Sequence, residues 1–217
     1  MMENARTVNP DRFRENLLVY TTRAYDLLPG LDRPAVLDLG CGTGQVTLRL
    51  ASLSNGTVAG VDRDVGALEV LEKKIEERGL SQRVRAVHCR IEEMPFAAAS
   101  FDVVWGEGAL GEIGFVRGLG LLRGYLKNGG FLVVHDDAGG SIDKIKAVPD
   151  AGFALRAYFY LSPDVWSSEY FHPLENALKT AVAAAPPYEL GVLRRDLEGF
   201  KKNPQSCASA FFVLEKT

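Results

Sequence analysis

The sequence predicts an α/β fold in which helices wrap a mostly parallel sheet. Short apolar runs rich in β-branched residues alternate with segments whose apolar residues recur at helical spacing, from residue 35 to residue 136. A glycine-rich turn over residues 40–44 joins the first such run to the first such helix. Because the 217 residues contain no repeat or linker-like tract, we expect one domain over residues 1–217.

Turn residues delimit the elements of the first ninety residues. Pro29-Gly30 ends an N-terminal helix, Asn55-Gly56 leads into the second strand, and Gly79 suits the residue that follows a helix end. The expected elements are a helix over residues 9–28, a strand over Ala35–Leu39, a helix over Gln45–Leu53, a strand over Thr57–Asp62, a helix over residues 65–78 and a strand over Val84–His88.

The second half of the chain has weaker periodicity. An irregular loop over residues 90–100 and a turn at Asn128-Gly129-Gly130 are expected around its first elements. The expected elements are strands over residues 101–105, 131–136, 154–161 and 209–214, helices over residues 115–126, 163–178 and 190–201, and a break over residues 181–187. We therefore expect a helical cap over residues 1–30 and a helical insert on the substrate side over residues 162–187.

Bulk composition disfavours several classes of protein. A hydrophobic content of 47% with 24% charged residues is ordinary for a soluble globular protein, and a net charge of −3 does not favour nucleic-acid binding. No apolar run is long enough to span a bilayer, and the polar first residues are unlike a secretory signal. The three cysteines lack a C-x-x-C spacing and the three histidines are dispersed. We expect a cytoplasmic monomer or homodimer with no metal site, no membrane contact and no nucleic-acid partner.

The glycine-rich turn, with the carboxylates around it, predicts a ligand site. Its three glycines let the backbone approach a ligand, and the next helix offers free N–H groups. A dinucleotide fingerprint reads G-x-G-x-x-G, whereas this loop reads G-x-G-x-G and follows Asp38, which would repel a pyrophosphate. Asp38 suits a cationic amine instead, and Asp62, at the end of the second strand, suits a ribose diol. S-adenosylmethionine (SAM) carries both groups.

Residues 36–44, VLDLGCGTG, resemble motif I of the class I SAM-dependent methyltransferases. Within that family, EGAL at 107–110, IGF at 113–115 and WSSEYFHP at 166–173 resemble an uncharacterised bacterial and archaeal subgroup of small, type 11-like methyltransferases. The resemblance implies a Rossmann-like three-layer sandwich whose seven-stranded sheet has its last strand antiparallel, between strands five and six. Further similar segments are Asp62, residues 92–96, residues 100–104 and residues 127–134.

The resemblance also implies the contacts to SAM and to its product, S-adenosylhomocysteine. Asp38 lies near the methionine amine, and Asp62 binds both ribose hydroxyls because a carboxylate accepts two hydrogen bonds. Arg63 lies near the adenine or is a solvated surface residue. The other expected cofactor positions are Gly40, Cys41, Gly42, Gly44, Gln45, Arg90, Ile91, Glu92, Trp105, Gly106 and Glu107.

The adenine end departs from the family pattern. Many members have an acid just before the position of Ile91, where it accepts from the adenine amine, whereas this chain has Arg90, which has no acceptor. Either Glu92 takes over this contact or the backbone alone reads the adenine. Arg90 has the alternative of a surface ion pair with Glu92 or Glu93, which would contribute little to stability.

Two groups at the carboxyl ends of expected strands are candidates for the chemistry. Ligands of open α/β sheets bind beyond that edge, where Glu107 and His135 are expected. Glu107 suits the substrate side of the methyl group, or is a solvated loop carboxylate. His135 suits a general base, since an unperturbed imidazole titrates at about pH 6.5, or is a satisfied core histidine.

Aromatic residues supply the expected acceptor pocket. Trp166 and Tyr170 are four residues apart and share a helix face, and His172 follows them. The alternative is that this cluster, with Phe171, packs the insert onto the sheet. Tyr20, with Tyr25, is a candidate to cap the site.

We therefore expect a SAM-dependent methyltransferase (EC 2.1.1.-) acting on a small-molecule acceptor. The cofactor supplies the activated methyl group, so the protein needs only to orient the reactants and exclude water. Two alternatives stay open. One is a non-catalytic SAM-binding or regulatory protein, and the other is a nicotinamide-dependent reductase, which Asp38 and the loop spacing oppose.

Overall fold

Seven strands form one sheet in a computed structural model, which describes residues 10–180 and 187–217. The strands are β1 (Ala35–Leu39), β2 (Thr57–Asp62), β3 (Val84–His88), β4 (Phe101–Glu107), β5 (Leu126–Asp137), β6 (Phe153–Leu161) and β7 (Ser209–Lys216). Their order is β3-β2-β1-β4-β5-β7-β6, and β7 runs antiparallel to both of its neighbours. This confirms the Rossmann-like fold and the place of the last strand.

Helices occupy both faces of this sheet. They are α1 (Pro10–Glu15), α2 (Leu18–Tyr25), α3 (Gln45–Leu53), α4 (Val65–Glu77), α5 (Phe115–Arg123), α6 (Ser141–Ala147), α7 (Pro163–Trp166), α8 (His172–Thr180) and α9 (Pro187–Lys202). Short 3₁₀ turns cover Ile91–Glu93 and Pro204–Cys207, and a π-helical segment covers Ser167–Phe171.

The alternation of side chains along β1 separates two hydrophobic cores. Leu37 and Leu39 pack in one core with residues of α5, whereas Val36 packs in the other with residues of α3 and α4. Asp38 points to the same face as Val36, because successive strand residues alternate. A carboxylate therefore stands at the end of an otherwise apolar strand.

The glycine-rich turn bends in a way that requires glycine. Gly40, Gly42 and Gly44 all have positive φ, at 61°, 50° and 87°. A Cβ at Gly44 would lie 2.2 Å from Leu71 Cδ1, so α4 packs directly against the start of α3. The turn thus delivers the chain from the carboxyl end of β1 to the N-terminus of α3.

The N-terminal region differs from the expected single helix over residues 9–28. The chain turns at Asn16 and Leu17, where Leu17 N–H donates to the Arg14 carbonyl at 3.0 Å, and two helices result. This break lets α1 and α2 follow different directions, so both contact α3 or its preceding loop.

Strands β4 and β5 are longer than expected. The partner of Phe101 is Leu126 and that of Val103 is Phe131, so the extra residues of β5 form a bulge. The expected turn at residues 128–130 is this bulge, in which Gly129 has a φ of 70°. The expected helix over residues 115–126 accordingly ends at Arg123, before β5 begins.

The C-terminal part departs most from expectation. The helix α6 was not predicted, and the expected helix over residues 163–178 is divided by the π-helical segment. The last helix begins at Pro187 rather than residue 190, while residues 181–186 of the expected break lie outside the described residues. Helix α4 ends at Glu77, and Gly79 follows with a φ of 64°, as a residue after a helix end does.

Candidate functional site

A cavity of about 790 Å³ lies at the carboxyl ends of β1, β4 and β5. Helices α1 and α2 form one side of it, and the insert with α9 forms another. Predicted site residues that line it are Tyr20, Asp38, Gly40, Cys41, Gln45, Glu107, His135, Trp166 and Tyr170. Predicted site residues that lie outside it are Gly42, Gly44, Asp62, Arg63, Arg90, Ile91, Glu92, Trp105, Gly106 and His172.

Asp38 is a buried carboxylate facing this cavity. Only 1% of it is exposed, and Thr47 Oγ1 donates to its Oδ2 at 2.6 Å. The pKa of Asp38 is raised to about 8, mainly by burial. The hydrogen bond from Thr47 lowers this pKa, and the negative charges of Glu107 and Asp62 raise it. A cation placed here would relieve this cost, so the site favours a positively charged ligand.

Burial also raises the pKa of the neighbouring Cys41 thiol, and the charges of Asp38 and Asp62 act in the same direction. The thiol is therefore protonated at neutral pH and is no nucleophile.

Asp62 holds the loops at the end of β2. Its Oδ2 accepts from the Gly42 N–H at 2.8 Å and its Oδ1 accepts from the Asp64 N–H at 2.9 Å. Each carboxylate oxygen keeps a further lone pair, so a diol can still donate to it. The Gly42 N–H, by contrast, already donates to Asp62 and is not available to bind a phosphate.

The residues expected at the adenine end lie beyond β2 and β3. Arg63 forms a bidentate ion pair with Glu112, at 2.9 and 2.8 Å, and its side chain is 57% exposed. Arg90 precedes the 3₁₀ turn, and in the described part of the chain it forms no ion pair with Glu92 or Glu93. Arg63 is therefore a solvated surface residue in this structure, as one of the two alternatives expected. The ion pair expected between Arg90 and Glu92 or Glu93 does not form among the described residues.

Glu107 is held by two donors on one oxygen. Trp105 Nε1 and Thr21 Oγ1 both donate to its Oε1 at 2.8 Å. The Trp105 side chain is fully buried and does not line the cavity, so its expected cofactor contact stays a prediction for the backbone alone. Its bulk fills the core and its N–H positions the carboxylate. Thr21, on α2, was missed by sequence reasoning.

His135 is fixed by stacking and by Ser209. Its ring stacks on Phe211 with centroids 4.1 Å apart, and its Nε2 lies 2.8 Å from Ser209 Oγ. Trp166 Nε1 donates to the same hydroxyl oxygen at 2.9 Å. His135 Nδ1 lies 3.8 Å from Glu107 Oε2. The two predicted catalytic candidates are therefore neighbours.

The insert both lines the cavity and packs on its own core. Trp166 and Tyr170 face the cavity with ring centroids 6.1 Å apart, whereas Phe171 stacks on Phe200 at 4.1 Å. Burial raises the pKa of the Tyr170 hydroxyl, so it is neutral at physiological pH. His172 is exposed, beside Ser167 at the start of α8, and does not line the cavity, so its expected role at the substrate stays a prediction.

A cluster that we call the clasp ties α1 to the glycine-rich turn. Thr43 Oγ1 donates to Asp11 at 2.6 Å, and Lys74 Nζ donates to Asp11 at 2.8 Å and to the Thr43 carbonyl at 2.9 Å. Burial alone would raise the pKa of Asp11, but the hydrogen bonds from Lys74 and Thr43 and the Lys74 charge lower it. The clasp secures α1, and α2, which follows it, carries Tyr20 and Thr21 to the cavity. Tyr25 packs against Trp105 instead of capping the site.

Over residues 10–180 and 187–217, no three His, Cys, Asp or Glu side chains come together in a group able to hold a metal ion. The same residues include no helix with the length and apolarity that crossing a membrane requires.

Part of the chain is similar to known proteins. Residues 36–130 match the family described as a methyltransferase domain. Uncharacterised methyltransferase YodH of Bacillus subtilis is 34% identical over 105 residues, which are 48% of this chain and 43% of that protein. The match thus spans less than half of the relative's length.

Solved structures resemble the matched residues together with their flanks. A candidate sarcosine dimethylglycine methyltransferase from Galdieria sulphuraria superposes with a TM-score of 0.75 at 15% identity, covering 98% of this chain and 92% of that one. A geranyl diphosphate methyltransferase in complex with SAM gives a TM-score of 0.70 at 15% identity, covering 92% of this chain and 85% of that one. Because both structures are only 15% identical in sequence, their similarity establishes the fold alone.

Proposed function

We propose that this methyltransferase domain binds SAM along the carboxyl edge of β1 and β2 and catalyses methyl transfer to a small-molecule acceptor in the cavity. The observation that carries the proposal is the buried carboxylate of Asp38, beside Glu107, at the end of the glycine-rich turn. Two carboxylates in one desolvated cavity repel each other, and a cationic ligand relieves that repulsion. When bound, SAM supplies a methyl group activated by a positively charged sulfonium.

The residues of the chain have separate tasks in this proposal. Asp38 binds the ammonium end, and Asp62 accepts from the ribose hydroxyls while holding the turn in place. The glycines let the backbone lie close to the ligand. Helices α1 and α2, tied down by the clasp, exclude water from the reacting atoms.

A small acceptor is supported by the shape of the cavity. It lies between α1, α2 and the insert, and its volume is in the range of small-molecule sites. The solved relatives are named for geranyl diphosphate and for sarcosine and dimethylglycine, which are small molecules. A cavity that continues from Asp38 to His135 and Trp166 favours an enzyme over a protein that only senses the cofactor.

The nicotinamide alternative has less support. A pyrophosphate needs free backbone N–H groups at the turn, and that of Gly42 already donates to Asp62. The buried Asp38, whether protonated or ionised, supplies no positive charge to a pyrophosphate.

Replacing Asp62 with alanine tests the proposed ribose contact. Loss of two charge-assisted hydrogen bonds should weaken SAM binding about 100-fold, as measured by titration calorimetry. Asp62→Asn keeps one oxygen for the Gly42 N–H and separates loop support from ligand binding. The exposed Asp150→Ala is the control and should bind like the wild type. Wild-type affinity in Asp62→Ala, with an unchanged circular dichroism spectrum, would contradict the proposed contact between Asp62 and the ribose.

A further inference from the structure

The proton on His135 can be placed from its neighbours. Trp166 Nε1 is a donor only, so Ser209 Oγ accepts from it. Ser209 is 5% exposed, and a buried hydroxyl needs an acceptor for its own hydrogen. Among the residues that the structure describes, His135 Nε2 at 2.8 Å is the acceptor within reach. Ser209 therefore donates to Nε2, and the proton of the neutral imidazole lies on Nδ1.

This tautomer directs an N–H towards the second carboxylate oxygen of Glu107. Glu107 Oε1 already accepts from Trp105 and Thr21, whereas Oε2 accepts from no described residue. The separation of 3.8 Å between His135 Nδ1 and Glu107 Oε2 is too long for a direct hydrogen bond. Both groups line the cavity, so a ligand atom beside this gap can hydrogen-bond to both.

The chemistry of the gap selects the kind of atom that fits it. The atom must donate a hydrogen to Glu107 Oε2, accept the hydrogen of His135 Nδ1, and keep a lone pair for the methyl group. A hydroxyl oxygen has one hydrogen and two lone pairs, which meets all three needs, whereas a thiol with the same count is a weak donor and a weak acceptor. A neutral amine has a single lone pair, which the hydrogen bond from His135 would occupy. A carboxylate has no hydrogen for Glu107.

We propose that the methyl acceptor is an alcohol or phenol whose hydroxyl lies between Glu107 and His135, with Ser209 as the positioning residue that sets the tautomer of His135. The inference rests on the proposed function. As the acceptor oxygen bonds to the methyl carbon, the bond from that carbon to sulfur breaks and leaves its electron pair on sulfur. The hydroxyl proton passes to Glu107 Oε2 and later to water. His135 keeps its Nδ1 proton and orients the acceptor.

The tautomer is measured first, on the whole protein labelled with ¹⁵N and without cofactor. Two-bond ¹H–¹⁵N correlations distinguish the two ring nitrogens, and the signals of His135 are those lost in His135→Gln. We expect the proton on Nδ1 in the wild type and on Nε2 in Ser209→Ala. Ser206→Ala, at an exposed serine nearby in the chain, is the control and should leave the ring unchanged. A proton on Nε2 in the wild type, or an unchanged ring in Ser209→Ala, would overturn the role of Ser209.

The acceptor class is measured with deuteromethyl SAM and a cellular metabolite extract, with products identified by mass spectrometry and NMR. We expect the label on oxygen. Glu107→Gln keeps Oε1 for Trp105 and Thr21 but replaces Oε2 with an amide donor, so product formation should fall at least about 100-fold, as for loss of a general base. Glu76→Gln, an exposed change on α4, should keep the wild-type rate.

A label on nitrogen, or full activity in Glu107→Gln, would overturn the hydroxyl assignment. Failure of the proposed function has a different signature, because it appears as absence of SAM binding in a separate titration. The tautomer, recorded without cofactor, is independent of that result.

Discussion

Asp38 is the residue at which burial and charge decide the behaviour of the site. Its pKa is about 8 in the folded protein against 3.8 for an ordinary aspartate. Between these values the folded chain holds a proton that the unfolded chain has lost. The stability linked to this proton is therefore complete below about pH 4 and is lost progressively as the pH rises to 8.

SAM binding should release a proton from Asp38. A bound cation favours the carboxylate, so below pH 8 the affinity should rise by up to about tenfold per pH unit and then level off. Titration calorimetry at pH 6.5 in buffers of different ionisation enthalpy counts the released proton. Asp38→Asn should bind more weakly and release none, while Asp150→Asn should behave like the wild type. An affinity that does not change with pH in the wild type would contradict this account.

Single residues were predictable where a motif fixes their place in the chain. The turn and its two carboxylates follow from their spacing along β1, β2 and the glycines. Thr21 and Ser209 were not predictable, because they lie 86 and 74 positions from the side chains that they contact. Nothing local to either residue signals such a contact. The burial of Trp105 and the place of His172 outside the cavity were not predictable, because both depend on the whole fold.

At the scale of elements, the N-terminal helices complete the site. They are joined to the glycine-rich turn by the clasp and to β4 by the bond from Thr21 to Glu107. A second contact runs from Arg49 on α3 to Thr22 at 2.9 Å. The segment therefore supplies part of the cavity wall, although the family match begins only at residue 36.

Breaking the clasp should loosen this segment. Lys74→Met removes both donations from Nζ and leaves a partly buried Asp11 carboxylate without its cation, at a cost of about 1–3 kcal/mol. Amides of α1 and α2 should then exchange hydrogen faster, as measured by mass spectrometry, and SAM should bind more weakly. Lys73→Met, at a lysine that is 77% exposed, is the matched control. Equal exchange in the two variants would contradict the proposed role of the clasp.

Elements were predictable in proportion to the strength of their periodicity. The bounds of β1, α3, β2 and β3 follow the sequence pattern to the residue. The β5 bulge and the π-helical segment do not, since both depend on pairing and packing with distant parts of the chain. The break between α1 and α2 likewise serves a tertiary contact rather than a local preference.

For the whole molecule, the decisive feature is β7 between β5 and β6. Its antiparallel pairing sets Phe211 opposite His135 and Ser209 opposite Asp137. The C-terminal strand thus brings Ser209 to the carboxyl edge of the parallel strands, where it meets the imidazole. The alternation of strands and helices predicted the class of fold, but the place of β7 came from the family resemblance, because periodicity carries no information on strand order.

Titration calorimetry of the purified protein decides whether SAM binds at the glycine-rich turn beside Asp38 and Asp62. SAM and S-adenosylhomocysteine should each bind with a Kd of about micromolar order, or about −8 kcal/mol, and NAD should not bind. Binding of NAD with no binding of SAM or S-adenosylhomocysteine would contradict the account and return the site to the nicotinamide alternative.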